Sequence, residues 1–179
     1  MKIGIGLFIL LWMQTSAEAA MKAYFSPSLD CENQIIRLLN NSVDSVDIAV
    51  YTLTNRPIMR AIEKAHNRGV RVRVITDKKQ ADHYSSVATR LYQKDVPIKI
   101  NTEFEIEHNK FAIFDGQTLI TGSFNWTYSA SNKNSENCLV ITDEPELIGQ
   151  YEKRFNTLWK TYNARESRHF FEQKINSGE

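Results

Sequence analysis

The chain is short of nearly everything that would place it in a specialised structural class. It has two cysteines in 179 residues, so it is no disulfide-dense scaffold and has no cysteine pairs at zinc spacing. Seven glycines and four prolines exclude a collagen-like or linker-rich protein. A surplus of charge is missing too. Against 22 Lys and Arg stand 21 Asp and Glu, a formal net charge of +1. Bulk charge therefore does not advertise nucleic-acid binding, and any phosphate recognition has to come from local placement of cations. There is no His-Glu-x-x-His helix, no acidic calcium loop, no internal repeat and no low-complexity tract. The remaining composition, 42% hydrophobic and 24% charged, fits one domain with a sizeable core.

The N-terminus reads differently from the rest. Lys2 precedes an apolar run from Ile3 to Met13, and Ala17-Glu18-Ala19 places small residues where a signal peptidase needs them. Residues 1–19 are expected to be a cleaved secretory signal, cut near Ala19, which directs the protein to the periplasm or outside the cell. The run is short for a transmembrane helix, and an uncleaved membrane anchor is the alternative. An oxidising compartment permits a bond between Cys31 and Cys138. Two buried thiols are the simpler reading, because Cys138 sits in an apolar run.

Hydrophobic periodicity then predicts the elements. A helix runs from a cap at Asp30 to Asn41, a strand from Val46 to Thr52, and a helix opened by Asn55 and Pro57 ends at Gly69. Val70 to Thr76 is a strand, Ala81 to Gln93 a helix, and Pro97 to Asn101 a short strand. Lys110–Phe114 and Gln117–Thr121 form a hairpin turning at Asp115-Gly116. Asn137 to Thr142 is a strand, and a helix from Glu144-Pro145 to Tyr162 carries the stripe Leu147, Tyr151, Phe155, Leu158 and Trp159. The fold class is α/β, a mixed β-sheet flanked by helices on both faces. One domain spans 20–163, and 164–179 reads as a loosely held polar tail.

Chemistry concentrates in His108-Asn109-Lys110 and Gly122-Ser123-Phe124-Asn125. In extended chain, residues two apart share a face, so His108 projects with Lys110 and Ser123 with Asn125. Hairpin pairing brings the two pairs together. A lysine offers fixed charge to non-bridging phosphate oxygens, a hydroxyl and an amide offer neutral donors, and a neutral imidazole attacks phosphorus or moves a proton near neutral pH. Asp115 falls five residues after Lys110, on the other face, and is read as structural. Each piece alone is commonplace. Their joint occurrence in this order is not.

His108-x-Lys110, four residues, Asp115, six residues, Gly122-Ser123-x-Asn125 resembles the signature of the phospholipase D superfamily. The resemblance runs from about Ala23 to Tyr162 and is similar in scale to the family's small single-motif bacterial endonucleases. It implies a phospholipase D/nuclease fold and a mechanism without metal or other cofactor. His108 is then the nucleophile that forms a phosphohistidine. Lys110 and Asn125 hold phosphate oxygens, Ser123 supports the phosphate or its neighbours, and Gly122 is structural. Glu136 stands where such endonucleases carry a glutamate and is expected to orient a histidine, in this chain or in a partner. The chemistry needs two histidines and the chain carries one motif, so the resemblance implies a homodimer sharing one site. His66, His83 and His169 lack the motif's context and read as surface or capping residues.

The motif does not select the phosphodiester. Chain length favours a non-specific endonuclease acting on DNA, with RNA as the alternative nucleic acid, over phospholipase D-type hydrolysis of a phospholipid head group. A third alternative is an inactive nucleic-acid-binding module. Arg56, Arg60, Arg71, Arg73, Lys78 and Lys79 are candidates for a phosphate track, and Phe124, Trp126 and Tyr128 for base stacking, though packing is the more ordinary role for Phe124.

Overall fold

The computed structural model describes residues 20–178. The signal-like segment 1–19 lies outside the described residues. Seven strands form one sheet: β1 (Ala20–Ser26), β2 (Ser45–Val50), β3 (Arg71–Thr76), β4 (Ile98–Ile100), β5 (Lys110–Phe114), β6 (Thr118–Gly122) and β7 (Glu136–Thr142). Their order is β1-β7-β6-β5-β2-β3-β4. The β2-β3-β4 portion is parallel, and β5, β6, β7 and β1 are joined by antiparallel pairing. The sheet is therefore mixed, as the alternation of helices and strands implies.

Side-chain alternation divides the core into two layers. On one face, Val46, Ile48, Val50, Ala112, Phe114, Ile120 and Val140 pack with α1 (Asp30–Asn41) and α2 (Arg56–Asn67). On the other, Ala49, Ile75, Phe111, Ile113, Leu119 and Ile141 meet Ile148, Phe155 and Leu158 of α6 (Pro145–Thr161). Aromatic residues of that stripe stack: Phe155 lies 5.9 Å from Trp159, and Tyr151 meets Phe111 edge-on at 5.0 Å.

Four expectations change. Asp30 is the first residue of α1 rather than its cap, because Leu29 holds that position without a side-chain bond. The helix expected over Ala81–Gln93 is two short ones, α3 (Lys78–Asp82) and α4 (Ala88–Tyr92). Between them His83 and Ser86 take the backbone N–H groups of Ser85 and Ala88, and such local bonds compete with helix continuation. The tail is a helix, α7 (Ala164–Ser177), capped by the Asn163 side chain, with Phe171 fully buried. Its buried positions are Ser167, Phe171 and Lys174, a stripe that hydropathy alone underrates because only one member is strongly apolar. Cys31 and Cys138 form a disulfide, with 6.0 Å between Cα atoms, that joins α1 to β7. β1, which periodicity did not reveal, pairs along its full length with β7.

Candidate active site

All seven strands have an end at one edge of the sheet, where β4 finishes at Ile100. β1, β2, β3 and β6 finish there at Ser26, Val50, Thr76 and Gly122; β5 and β7 begin there at Lys110 and Glu136. The motif is thus assembled from separate segments by strand direction. His108 is exposed just before β5, and its ring lies 4.6 Å from that of Tyr51. Lys110 Nζ sits 5.1 Å above the same Tyr51 ring and donates to the His108 carbonyl at 2.6 Å. Tyr51 therefore supports both residues, and periodicity did not single it out.

Gly122 is fixed by space. Its φ is +150°, and a Cβ there would fall 2.4 Å from the Asn137 carbonyl oxygen and 3.0 Å from Cys138 Cα. Only glycine lets β6 run this close to β7 before the chain turns into Ser123. Ser123 Oγ donates to Glu136 Oε2 at 2.5 Å and accepts from the Asn137 backbone N–H. Its proton is thus committed to the carboxylate within the chain. Glu136 also accepts from Asn134 Nδ2 and makes no hydrogen bond to His108.

Asn125 is the odd member. Its Oδ1 is buried without a partner, and its side chain makes no hydrogen bond among the described residues. Leaving a buried polar atom unsatisfied costs on the order of 1–3 kcal/mol. The buried Oδ1 is an acceptor and stays unsatisfied, whereas the Nδ2 of the same amide has no hydrogen-bond partner among the described residues and is a donor open to an anion.

Two buried carboxylates missed by motif reading brace the His108 segment. Glu107 is 2% exposed. Its Oε1 accepts from both the backbone and the side-chain N–H of Asn109, and its Oε2 accepts from the Tyr162 hydroxyl at the end of α6. Its own N–H donates to Asp77 Oδ2 at 3.0 Å, while Asp77 Oδ1 caps α3. Asn109 is held again through its carbonyl, which accepts from Tyr51 N–H at 2.8 Å. His108 is therefore flanked on both sides by clamped neighbours. The signal for Glu107 was an acidic residue beside the motif, which is uninformative without knowledge of its burial.

Burial lowers the Lys110 pKa, and the negative charges of Glu136 and Glu107 push back upwards. Burial also raises Tyr162, assisted by its hydrogen bond to Glu107, so this phenol stays protonated well beyond its ordinary range.

Other candidates fall elsewhere. Asp115 lies at the opposite end of β5, with φ +52°, and accepts from the backbone N–H groups of Val43, Asp44 and Ser45. It ties the hairpin turn to the start of β2 and is structural. Arg73 is bidentate on Asp47, at 2.6 and 2.7 Å, and lies over Phe155. Arg71 pairs in register with Ser45 at the far edge. Neither belongs to a phosphate track at this site. Phe124 and Trp126 are each 2% exposed and belong to the core, whereas Tyr128 is 62% exposed. No hydrogen bond or ring contact joins His66, His83 or His169 to the motif residues among the described residues. No group of three His, Cys, Asp or Glu side chains converges there either.

The profile of the family described as cardiolipin synthase, PLD-like domain matches residues 35–159. Mitochondrial cardiolipin hydrolase of Chlamydomonas reinhardtii is 36% identical over 130 residues, 73% of this chain and 58% of that protein. The Xenopus tropicalis protein of the same name is 35% identical over 144 residues, 80% of this chain and 68% of its own. The chain thus spans between about half and two thirds of the curated relatives it matches. In structure it is similar to Nuc, a phospholipase D family member from Salmonella typhimurium, with TM-score 0.77 and 28% identity over 82% of this chain and 97% of that one. NucT from Helicobacter pylori superposes with TM-score 0.73 and 25% identity over 81% and 98% of the two chains. With His108, Lys110, Gly122, Ser123 and Asn125 gathered on one sheet edge, the chain belongs to the phospholipase D superfamily of phosphodiesterases.

Proposed function

We propose that the protein is a nuclease that hydrolyses DNA, with RNA as a further substrate, through a phosphohistidine on His108, in a site completed by a second copy of the chain. The observation that carries this is the Asn125 Nδ2 donor, without a hydrogen-bond partner among the described residues, on the same edge as Lys110 and the exposed His108. A phosphate placed there takes a donor from each of Asn125 and Lys110 and exposes phosphorus to the imidazole. His108 attacks phosphorus and forms the P–N bond as the P–O bond to the leaving oxygen breaks. An acid must protonate that oxygen, and water then cleaves the P–N bond. A second His108, from a two-fold partner, supplies the acid. Glu136 is available for the partner's imidazole through the carboxylate that Ser123 and Asn134 hold in place.

The near full-length correspondence with the compact Nuc and NucT chains favours a nucleic-acid substrate. Phospholipid head-group hydrolysis is the second reading, favoured by the cardiolipin hydrolases at 33–36% identity. The N-terminal signal reading places the activity outside the cytoplasm.

The test incubates the protein and its His108→Ala variant, in chelator, with plasmid DNA, RNA, and vesicles of phosphatidylcholine or cardiolipin. Nucleic-acid cleavage lost in the variant supports the proposal. Head-group release alone transfers the function to lipid. Equal behaviour of both proteins on every substrate rules out catalysis by His108. Mixing parent with excess His108→Ala probes the shared site: activity per parent subunit falls if the acid comes from the partner and holds if it does not.

A further inference from the structure

Tyr128 was one of three candidates for base stacking, and it is the one left at the surface. It opens α5 (Tyr128–Asn132), three residues after Asn125. The segment that leads to it lies alongside the start of α2: Thr54 and Asn55 both donate backbone N–H groups to the Trp126 carbonyl, at 3.0 and 2.9 Å. Tyr128, Thr54 and Arg56 form the common wall of two adjoining clefts of about 490 and 400 Å³. The second cleft is also lined by Tyr84, from the turn between α3 and α4, which is 94% exposed. α2 and α3 follow the ends of β2 and β3, so these residues stand on the sheet edge that carries His108.

Two large aromatic side chains held in solvent, Tyr128 at 62% exposure and Tyr84 against the ring of its neighbour His83 at 4.4 Å, mark a recognition surface. The cations agree. Arg56 has no ion pair, hydrogen bond or ring contact among the described residues. The carboxylate in these walls, Glu32, is 8% exposed and already accepts from Asn55 Nδ2 and Ser131 Oγ.

We propose that Tyr128 and Tyr84 are stacking platforms of a single-stranded nucleic-acid subsite beside the catalytic residues, with Arg56 holding a phosphate of the same strand. The inference rests on the nucleic-acid reading above and deepens it by naming the strand state. Every base has a π-face, so tyrosine platforms bind without sequence preference, but only where bases are unpaired and splayed. Duplex DNA hides those faces. A phospholipid head group has none to offer.

The test uses the protein carrying His108→Ala, so that binding is read without turnover. Fluorescence anisotropy measures fluorescein-labelled 12-residue oligo(dT) and oligo(rU), and a DNA duplex of equal length. Adding Tyr128→Ala or Tyr84→Ala should weaken single-strand affinity by about 5- to 150-fold each, the range of one lost base–aromatic contact. Tyr128→Phe and Tyr84→Phe keep the ring and should bind like the parent. Arg56→Ala should lower the salt dependence by about one phosphate contact. Alanine variants that bind as the parent does, or a duplex bound as tightly as the single strand, overturn the subsite while leaving the nuclease reading standing. A parent that binds no oligonucleotide yet releases head groups from cardiolipin vesicles overturns both.

Discussion

The Tyr162 hydroxyl donates to the Glu107 carboxylate across 55 positions of sequence, which places the end of α6 directly behind the residue that precedes His108. Both side chains are almost inaccessible, at 1% and 2% exposure. Catalysis by a histidine depends on holding it within a few tenths of an ångström of its productive position. The bond therefore links a core helix to the position of His108, the proposed nucleophile.

Tyr162→Phe removes one donor from a buried carboxylate and should cost about 1–3 kcal/mol, measured by urea denaturation near pH 8. The cost changes with pH in a defined direction. Tyr162 has a folded pKa above its unfolded value, so its contribution is complete below about pH 10 and is lost as pH rises further. The gap between parent and Tyr162→Phe should narrow from pH 8 to pH 10.5. A gap that widens instead would contradict a protonated, buried phenol.

Lys110 gives a pH test of the site. Its charge is present below its pKa and lost above it, and burial has lowered that pKa below the ordinary lysine value. The alkaline limb of the rate profile should therefore fall before the range of a free lysine, about 10.4. The groups that face it are Glu136, Glu107, His108 and the Tyr51 ring. Glu107→Gln removes one of the two supporting charges and should move the limb to lower pH, with kcat reduced more than KM is raised. An unmoved limb assigns it to another group.

Asn125→Ala deletes one proposed phosphate donor and an orphaned buried carbonyl at once. Turnover should fall about 100- to 1,000-fold, the usual cost of one donor to a developing charge. Thermal stability should hold or rise, because an unsatisfied polar atom has gone. Calorimetry and single-turnover kinetics on the same preparation separate the two effects.

The disulfide closes a separation of 107 residues, so chain entropy predicts a large effect, about 3–5 kcal/mol. Cys31→Ser with Cys138→Ser, or reduction of the parent, should lower Tm by a matching amount. Cys138 is registered opposite Gly122 on the neighbouring strand. Activity of the reduced protein below its new Tm shows whether the bond serves the fold alone or also the Gly122–Asn125 turn.

Phe171→Ala tests α7. Its ring is fully buried, stacked 4.9 Å from Tyr92. Such a truncation costs about 3–5 kcal/mol in a packed core. An effect under 1 kcal/mol would return the segment to the status of a loose tail.

The sequence by itself determined the chemistry and most of the architecture. His108, Lys110, Gly122, Ser123 and Asn125 carry a spacing that strand geometry converts into one constellation, and alternation along Val70–Thr76 or Lys110–Phe114 reports local backbone period. Those signals are short-range, so they survive without a fold. Only the tertiary structure decided which cysteines meet, that Glu107 finds Tyr162, that Arg73 is spent on Asp47 while Arg56 is not, and that Tyr128 reaches solvent while Trp126 does not. Each of these depends on strand order and helix docking between segments remote in sequence, and on burial, which residue identity does not report. The same reason explains α7: Phe171 is one aromatic in a polar stretch until Tyr92 is brought against it.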